Sequence, residues 1–388
     1  MMKKVIAIAA AVIITLALFF FLAAPRLIDF LANGVYSSKT PAVSAQAREL
    51  YATLLVADLH CDALMWDRDL LIRNGRGHVD IPRLIEGSVA LQTFSIVSKT
   101  PAGIFSWDNV RDENDLMTPL VIAQLWPPRT WTSPLERALY QAEKMRGFAA
   151  RSNGSCALIT SRDSLAQYLA RRKADPRVTA ALLSIEGAQV LEGDPGRVET
   201  LFRAGFRMMS PTHFFDNEMG GSAHGVEKGG LTEKGKRMIA LMQQTGMIVD
   251  LTHASPKTID DVLAVSKRPV IVSHTGVRGA CDTVRNLSDR HIGAIARAGG
   301  VIGITYFGYA VCGESVGNIA RSFRYARDRA GAAHLALGSD FDGAVSQPFD
   351  TTGLALLVDA LLKEGFTPEE IRLVMGGNVF RLLGELLP

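Results

Sequence analysis

Eight short, almost wholly apolar runs, most of them followed by a helix-like stretch, restrict the folds open to this sequence more than any other feature. They are Leu54–Asp58, Ala90–Ile96, Ala181–Ile185, Arg207–Ser210, Ile248–Leu251, Val270–Ser273, Val301–Thr305 and Leu335–Gly338. Several are nearly continuous in apolar residues, as parallel strands covered on both faces require. Between them, Thr232 to Thr245 reads as a helix stopped by Gly246. Near the end, Thr367-Pro368-Glu369-Glu370 reads as N-cap, N1 proline and acidic first turn. Eight strands separated by helices predict an α/β chain closed into a (β/α)8 barrel of the TIM type. A doubly wound open sheet is the alternative. It is weakened because the usual glycine-rich dinucleotide fingerprint does not follow the first strand.

The N-terminus obeys other rules. Lys3 and Lys4 precede an uninterrupted apolar run from Val5 to Ala24. Twenty helical residues reach roughly 30 Å, enough to cross the hydrocarbon core. A cleaved signal has a shorter apolar region, about 7–15 residues, and Pro25 after Ala23-Ala24 is a poor context for cleavage. Residues 1–25 are therefore expected to be a membrane anchor, with an exported soluble form if the segment is cleaved. The basic flank predicts that the bulk of the chain lies outside the cytoplasm, periplasmic or extracellular. Residues 26–47 read as a tether and 48–388 as one domain. Within it, Pro101 to Pro134 breaks the rhythm and holds Trp107, Trp126 and Trp131, three of the four tryptophans. Insertions of this length serve as lids, partner surfaces or membrane-proximal elements. A net charge of +3 on 388 residues is too small to imply a nucleic-acid partner. The basic run Arg171-Arg172-Lys173 reads as a solvated helix end.

Histidines and acids fall at the ends of the runs. Asp58-Leu59-His60-Cys61-Asp62 ends the first, Glu186 the third, His213 the fourth, His253 the fifth and His274 the sixth, while Asp340 follows the eighth. In a barrel the C-terminal ends of all strands meet at one mouth, so these residues would share a pocket. Strand alternation points His60 and Asp62 the same way, with Cys61 opposite. A lone histidine at a strand end is more often structural than a ligand. Two at equivalent positions on successive strands, beside acids, point to a metal. Glu186 after an apolar run needs a cation nearby, since burying it alone costs several kcal/mol. His224, in a glycine-rich loop, and His291 read as surface residues; His334 and His78 read as structural.

These segments resemble the membrane (renal-type) dipeptidases, the M19 peptidases, from about Ala52 to the C-terminus. The resemblance rests on Asp-Leu-His-Cys-Asp, His78–Leu84, Ser-Ile-Glu-Gly, Asp-Leu-Thr-His, Val-Ser-His-Thr, Arg285-Asn286, Gly-Ser-Asp-Phe-Asp-Gly and Gly376-Gly377-Asn378, in that order and spacing. It implies a barrel of the metal-dependent hydrolase kind with two zinc ions per chain. His60 and Asp62 would bind one zinc, His253 and His274 the other, with Glu186 bridging. Asp340 matches the family's acid/base, His213 a contact to the substrate carbonyl, and Arg285 the arginine that holds the substrate carboxylate. Cys281 and Cys312 match a family disulfide. Phe214-Phe215 stands where mammalian members carry another cysteine. A substrate-facing tyrosine is expected near Tyr306-Phe307, its position uncertain by one. Family members often form homodimers.

The mechanism implied is hydrolysis of a free dipeptide. Two divalent metals share a hydroxide and lower its pKa, with Asp340 as acid/base and His213 beside the carbonyl oxygen. Zinc suits the ligands, and other divalent metals stay open by ligand type. The rival readings are a metal-dependent hydrolase of another small amide or a lactone, a barrel without catalysis, and a nuclease, which the missing basic track disfavours.

Overall fold

Nine strands, all parallel, are distributed along the computed structural model, which describes residues 2–36 and 42–388. They are β1 (Val56–Cys61), β2 (Val89–Val97), β3 (Cys156–Leu158), β4 (Thr179–Glu186), β5 (Phe206–Met209), β6 (Ile248–Val249), β7 (Ile271–Thr275), β8 (Val301–Ile304) and β9 (Leu335–Leu337). Hydrogen bonding follows the order β6-β5-β4-β2-β1-β9-β8-β7. The two ends of that path meet: Asp250 bridges Ile271 in parallel, and Leu251 N–H donates to Ile271 O at 2.7 Å. The sheet is therefore a closed barrel, which removes the open-sheet alternative. Each of the eight expected runs overlaps a barrel strand. β3 was not anticipated; it is only three residues long and pairs with β4 outside the barrel path.

Alternation along the strands divides the core in two. Ala57, Leu59, Leu91, Ala180, Leu182, Met208, Ile248, Ile271, Val301 and Ala336 form one apolar cluster with Leu382, Leu383 and Leu386 of the C-terminal helix Asn378–Leu386. That helix covers the N-terminal ends of the strands: Asn378 donates to Leu335 O, and Arg268, just before β7, donates to Leu386 O. The alternate positions, such as Leu183 and Ile185 of β4, pack outward against the helices, in the larger core cluster. Local signals hold where expected. Thr232 caps helix Glu233–Thr245, which ends at Gly246, and Thr367 with Glu370 forms a capping box. Arg172 departs from the solvated helix end read from its run. Its guanidinium is buried and donates to the carbonyls of Val178 and Ser88, because the chain reverses there to enter β4.

The first helix runs from Met2 to Ala32, 31 residues with an apolar, unburied N-terminal part. Pro25 lies inside it. Its ring excludes the carbonyl four residues back and it offers no N–H, and the helix accommodates this by a widened π turn over Phe19–Ala23. Beyond Pro25 the helix rests on the barrel, where Asp29 is 1% exposed and paired with Arg68 and Arg76.

Candidate metal centre

The strand ends carry every expected site residue to one mouth. His60 and Asp62 sit at the end of β1, Glu186 is the last residue of β4, and His274 lies in β7. His213, His253, Arg285 and Asp340 follow β5, β6, β7 and β9 at the same end. All are buried, and all but His60 line one cavity of about 490 Å3. The pairing of β1 with β2 slips between Asp58 and Cys61. Leu59 thus stays in the barrel interior while His60 and Asp62 reach the mouth and Cys61 packs outward. His253 and Asp340 both have φ of +63°, a left-handed backbone that costs a non-glycine residue about 1–3 kcal/mol. The chain turns sharply off its strand at both places, and both side chains line the cavity.

Glu186 stands between two groups of nitrogen donors. Its Oε1 lies 2.9 Å from His253 Nε2 and 3.2 Å from His274 Nε2. Its Oε2 lies 3.3 Å from His213 Nε2 and 3.9 Å from His60 Nε2. His60 Nε2 is 3.4 Å from Asp62 and 3.9 Å from Asp340, and His274 Nε2 is 4.0 Å from Asp340. The rings are held from behind. His274 Nδ1 meets Ser273 Oγ at 3.0 Å, and His253 Nδ1 meets His224 Nε2 at 2.9 Å. A hydrogen bond at Nδ1 leaves Nε2 facing the mouth, the usual arrangement of a metal-binding histidine.

The donor set fits divalent cations. Three groups among the described residues bring their ligand atoms within 4.8 Å of one another: His60 with His274 and Asp340, Glu186 with His213 and His253, and His60 with Asp62 and Glu186. His60 Nε2 and Asp62 Oδ1 are buried with no hydrogen-bond partner among the described residues. Such atoms cost about 1–3 kcal/mol each when unpaired. Burial pushes His213, His253 and His274 well below the usual histidine range, so they are neutral donors. Burial also opposes a cationic His60, but Asp62, Glu186 and Asp340 together outweigh it and lift that ring to about 10. Burial raises Glu186 well above the carboxylate range and Asp340 to about 6. Burial thus disfavours the carboxylate form of both acids, at the place where a metal ion would supply compensating positive charge.

Arg285 completes the cavity. Its Nη1 donates to His274 O at 3.1 Å, while Nε and Nη2 have no hydrogen-bond partner among the described residues, although the side chain is only 1% exposed. Its guanidinium lies 5.1 Å from the Phe307 ring centroid. Gly343 leaves the room these groups need: a Cβ there would come within 2.5 Å of Asp340 Oδ1 and 3.0 Å of Asp62 Oδ2.

Two histidines differ from their sequence reading. His224 is fully buried rather than at the surface, fixed between His253 and the carbonyl of Trp107 at 2.8 Å. The signal was the pair of double glycines flanking it. A Cβ at Gly221 would lie 2.2 Å from Gly229 O, so only glycine lets the loop fold this tightly into the mouth. His291 is 3% exposed, its ring set between Ser288 and Asp260. His78 is buried behind the Asp340 loop, and His334 bonds Gly300 O at the start of β9. Tyr306 packs into the core against Phe341 and Phe349, whereas Tyr309 stacks on Trp107 at 4.7 Å. Trp107 brings the 101–134 insertion to the cavity wall. Cys281 and Cys312 are disulfide-bonded, with Cα atoms 5.4 Å apart.

The dipeptidase verJ of Clonostachys rogersoniana is 34% identical over 214 residues, covering 53% of this chain and 55% of that protein. The chain thus spans about half the length of that relative. In fold it is similar to the M19 dipeptidase AC (TM-score 0.70, 23% identity, 86% of this chain and 99% of that one). It is similarly close to a metallopeptidase from Rhodobacter sphaeroides (TM-score 0.69, 23% identity, 87% and 100%), which was crystallised with a phosphinate mimic of the dipeptide L-Ala-D-Ala. The family profile for membrane dipeptidases matches residues 44–386, so the chain belongs to the membrane dipeptidase family, peptidase family M19.

Proposed function

We propose that this protein is a dinuclear zinc dipeptidase, held in the membrane by its first helix with the barrel outside the cytoplasm. The observation that carries this reading is one cavity containing a Glu186 with histidine nitrogens at each oxygen and a buried guanidinium with unused N–H groups. His60 and Asp62 would hold one cation and His253 and His274 the other, with Glu186 placed to serve both. Bound there, divalent cations supply Lewis acidity and make water nucleophilic at neutral pH.

The chain's own residues do the rest. Arg285 offers Nε and Nη2 to the terminal carboxylate, a fork that sets direction as well as strength. His213, neutral and buried, stands beside the scissile carbonyl oxygen as negative charge develops on it. Asp340 takes the proton of the attacking water and passes it to the leaving amine, from its place on the cavity wall beside His60 and His274. Trp107 and Phe214 keep bulk water from that face of the cavity. Arg285 favours a substrate with a free carboxylate over a lactone or a blocked amide.

Elemental analysis of the purified full chain, coupled to a substrate panel, tests this. Two metal ions per chain and turnover of unblocked dipeptides are expected, with slower turnover of N-acyl amides and lactones. The panel should include D-configured C-terminal residues. Lactone turnover without dipeptide turnover would replace the reading by its rival, and a metal-loaded protein inert to the whole panel would end it. Protease protection in sealed membranes checks the topology.

A further inference from the structure

The cavity has two chemically distinct halves. Its floor is the charged cluster around Glu186, while its outer wall is apolar and belongs largely to the first helix. Phe20, Pro25 and Ile28 line it, facing Met117 and Leu120 of helix Met117–Ala123 and Trp66 after β1. This wall is fastened. Asp29 pairs with Arg68 at 3.3 Å and Arg76 at 2.6 Å, and Arg68 pairs with Asp342 at 2.9 Å. Asn33 Oδ1 accepts from Ala344 N–H at 2.9 Å, and Gly34 O accepts from Gln347 N–H at 2.9 Å. The helix therefore holds the loop that begins at Asp340. Ala24, Pro25, Ile28 and Ala32 form the helix face toward the cavity, whereas Leu27, Phe30 and Leu31 point away and are 46–67% exposed.

We infer that the membrane anchor is a wall of the substrate pocket, and that the pocket selects dipeptides bearing a large apolar side chain, seated between Ile28 and Leu120. The inference rests on the dipeptidase reading. A polar floor binds the backbone and carboxylate, and about 490 Å3 leaves space beyond them that small side chains do not fill. Burying a side chain the size of leucine or phenylalanine against this wall favours it about 10- to 100-fold over alanine. Asp29 is a positioning residue, acting through Arg68 and the Asp342 loop.

The test compares kcat/KM for leucyl-phenylalanine and alanyl-alanine on the zinc-loaded full chain in phosphatidylcholine nanodiscs. At least a tenfold preference for leucyl-phenylalanine is expected. Ile28→Ser and Leu120→Ser should each reduce that ratio severalfold through KM for the larger substrate, and Asp29→Ala should act in the same direction while Asp29→Glu restores part of it. A ratio near one in the parent protein overturns the inference, as does a ratio that neither wall variant changes. If no dipeptide is cleaved, the dipeptidase reading fails separately. Quenching of tryptophan fluorescence, with Trp66 and Trp107 at the cavity, then decides the wall. Tighter binding of leucyl-phenylalanine than of alanyl-alanine, weakened by Ile28→Ser, supports it, and equal binding overturns it.

Discussion

The two ends of the barrel are built on opposite terms. At the base, inward residues such as Leu182 and Met208 meet Leu382, Leu383 and Leu386 in an apolar cluster sealed by the last helix. At the mouth, the same strands lead into acids, histidines and an arginine, with left-handed backbone at His253, Asp340, Asp342 and Ala344 and, among the described residues, unpartnered buried atoms on His60, Asp62 and Arg285. One sheet supports both because alternation and strand direction are shared, while only the loops differ. The base supplies stability that lets the mouth hold strain and unmet polar groups until ligands satisfy them.

Substitutions at the two ends should therefore separate metal, substrate and stability. The largest effect is expected at Glu186→Gln. Losing the carboxylate shared by both donor groups should abolish stoichiometric metal and lower kcat by about 10³-fold or more. Two metals per chain retained in that variant would remove Glu186 as the bridge. Arg285→Lys comes next, because a point charge does not replace a fork; KM should rise about 10- to 100-fold with metal content unchanged. Unaltered dipeptide kinetics would take the carboxylate role from Arg285. His224→Ala leaves every direct donor in place but frees the back of His253. Metal affinity should fall about 10- to 100-fold by competition with a chelator, a range typical of residues that orient a ligand. At the base, Leu382→Ala should cost about 2–5 kcal/mol in denaturant unfolding, while KM and metal content per folded chain stay at parent values. A large KM change there would show that base and mouth are coupled.

How much of this could be read beforehand varied with the range of the interaction. The eight barrel strands, the caps at Thr232 and Thr367 and the stop at Gly246 were visible because apolar runs and capping residues act within a few positions. β3 was missed because three residues carry too little pattern. His224 and Arg172 were misjudged because their local sequence is that of a loop and a helix end, and only packing turns them inward.

By itself the sequence determined the strand–helix rhythm, the apolar first helix and the placement of acids and histidines at strand ends. Those follow from local periodicity and from the direction of the chain. Only the tertiary structure decided that Glu186 divides its two oxygens between separate histidine groups, that His224 supports His253, and that residues 29–34 fasten the first helix to the loop after Asp340. Such pairings join positions up to about three hundred residues apart, and no local preference encodes them; closure of the barrel does.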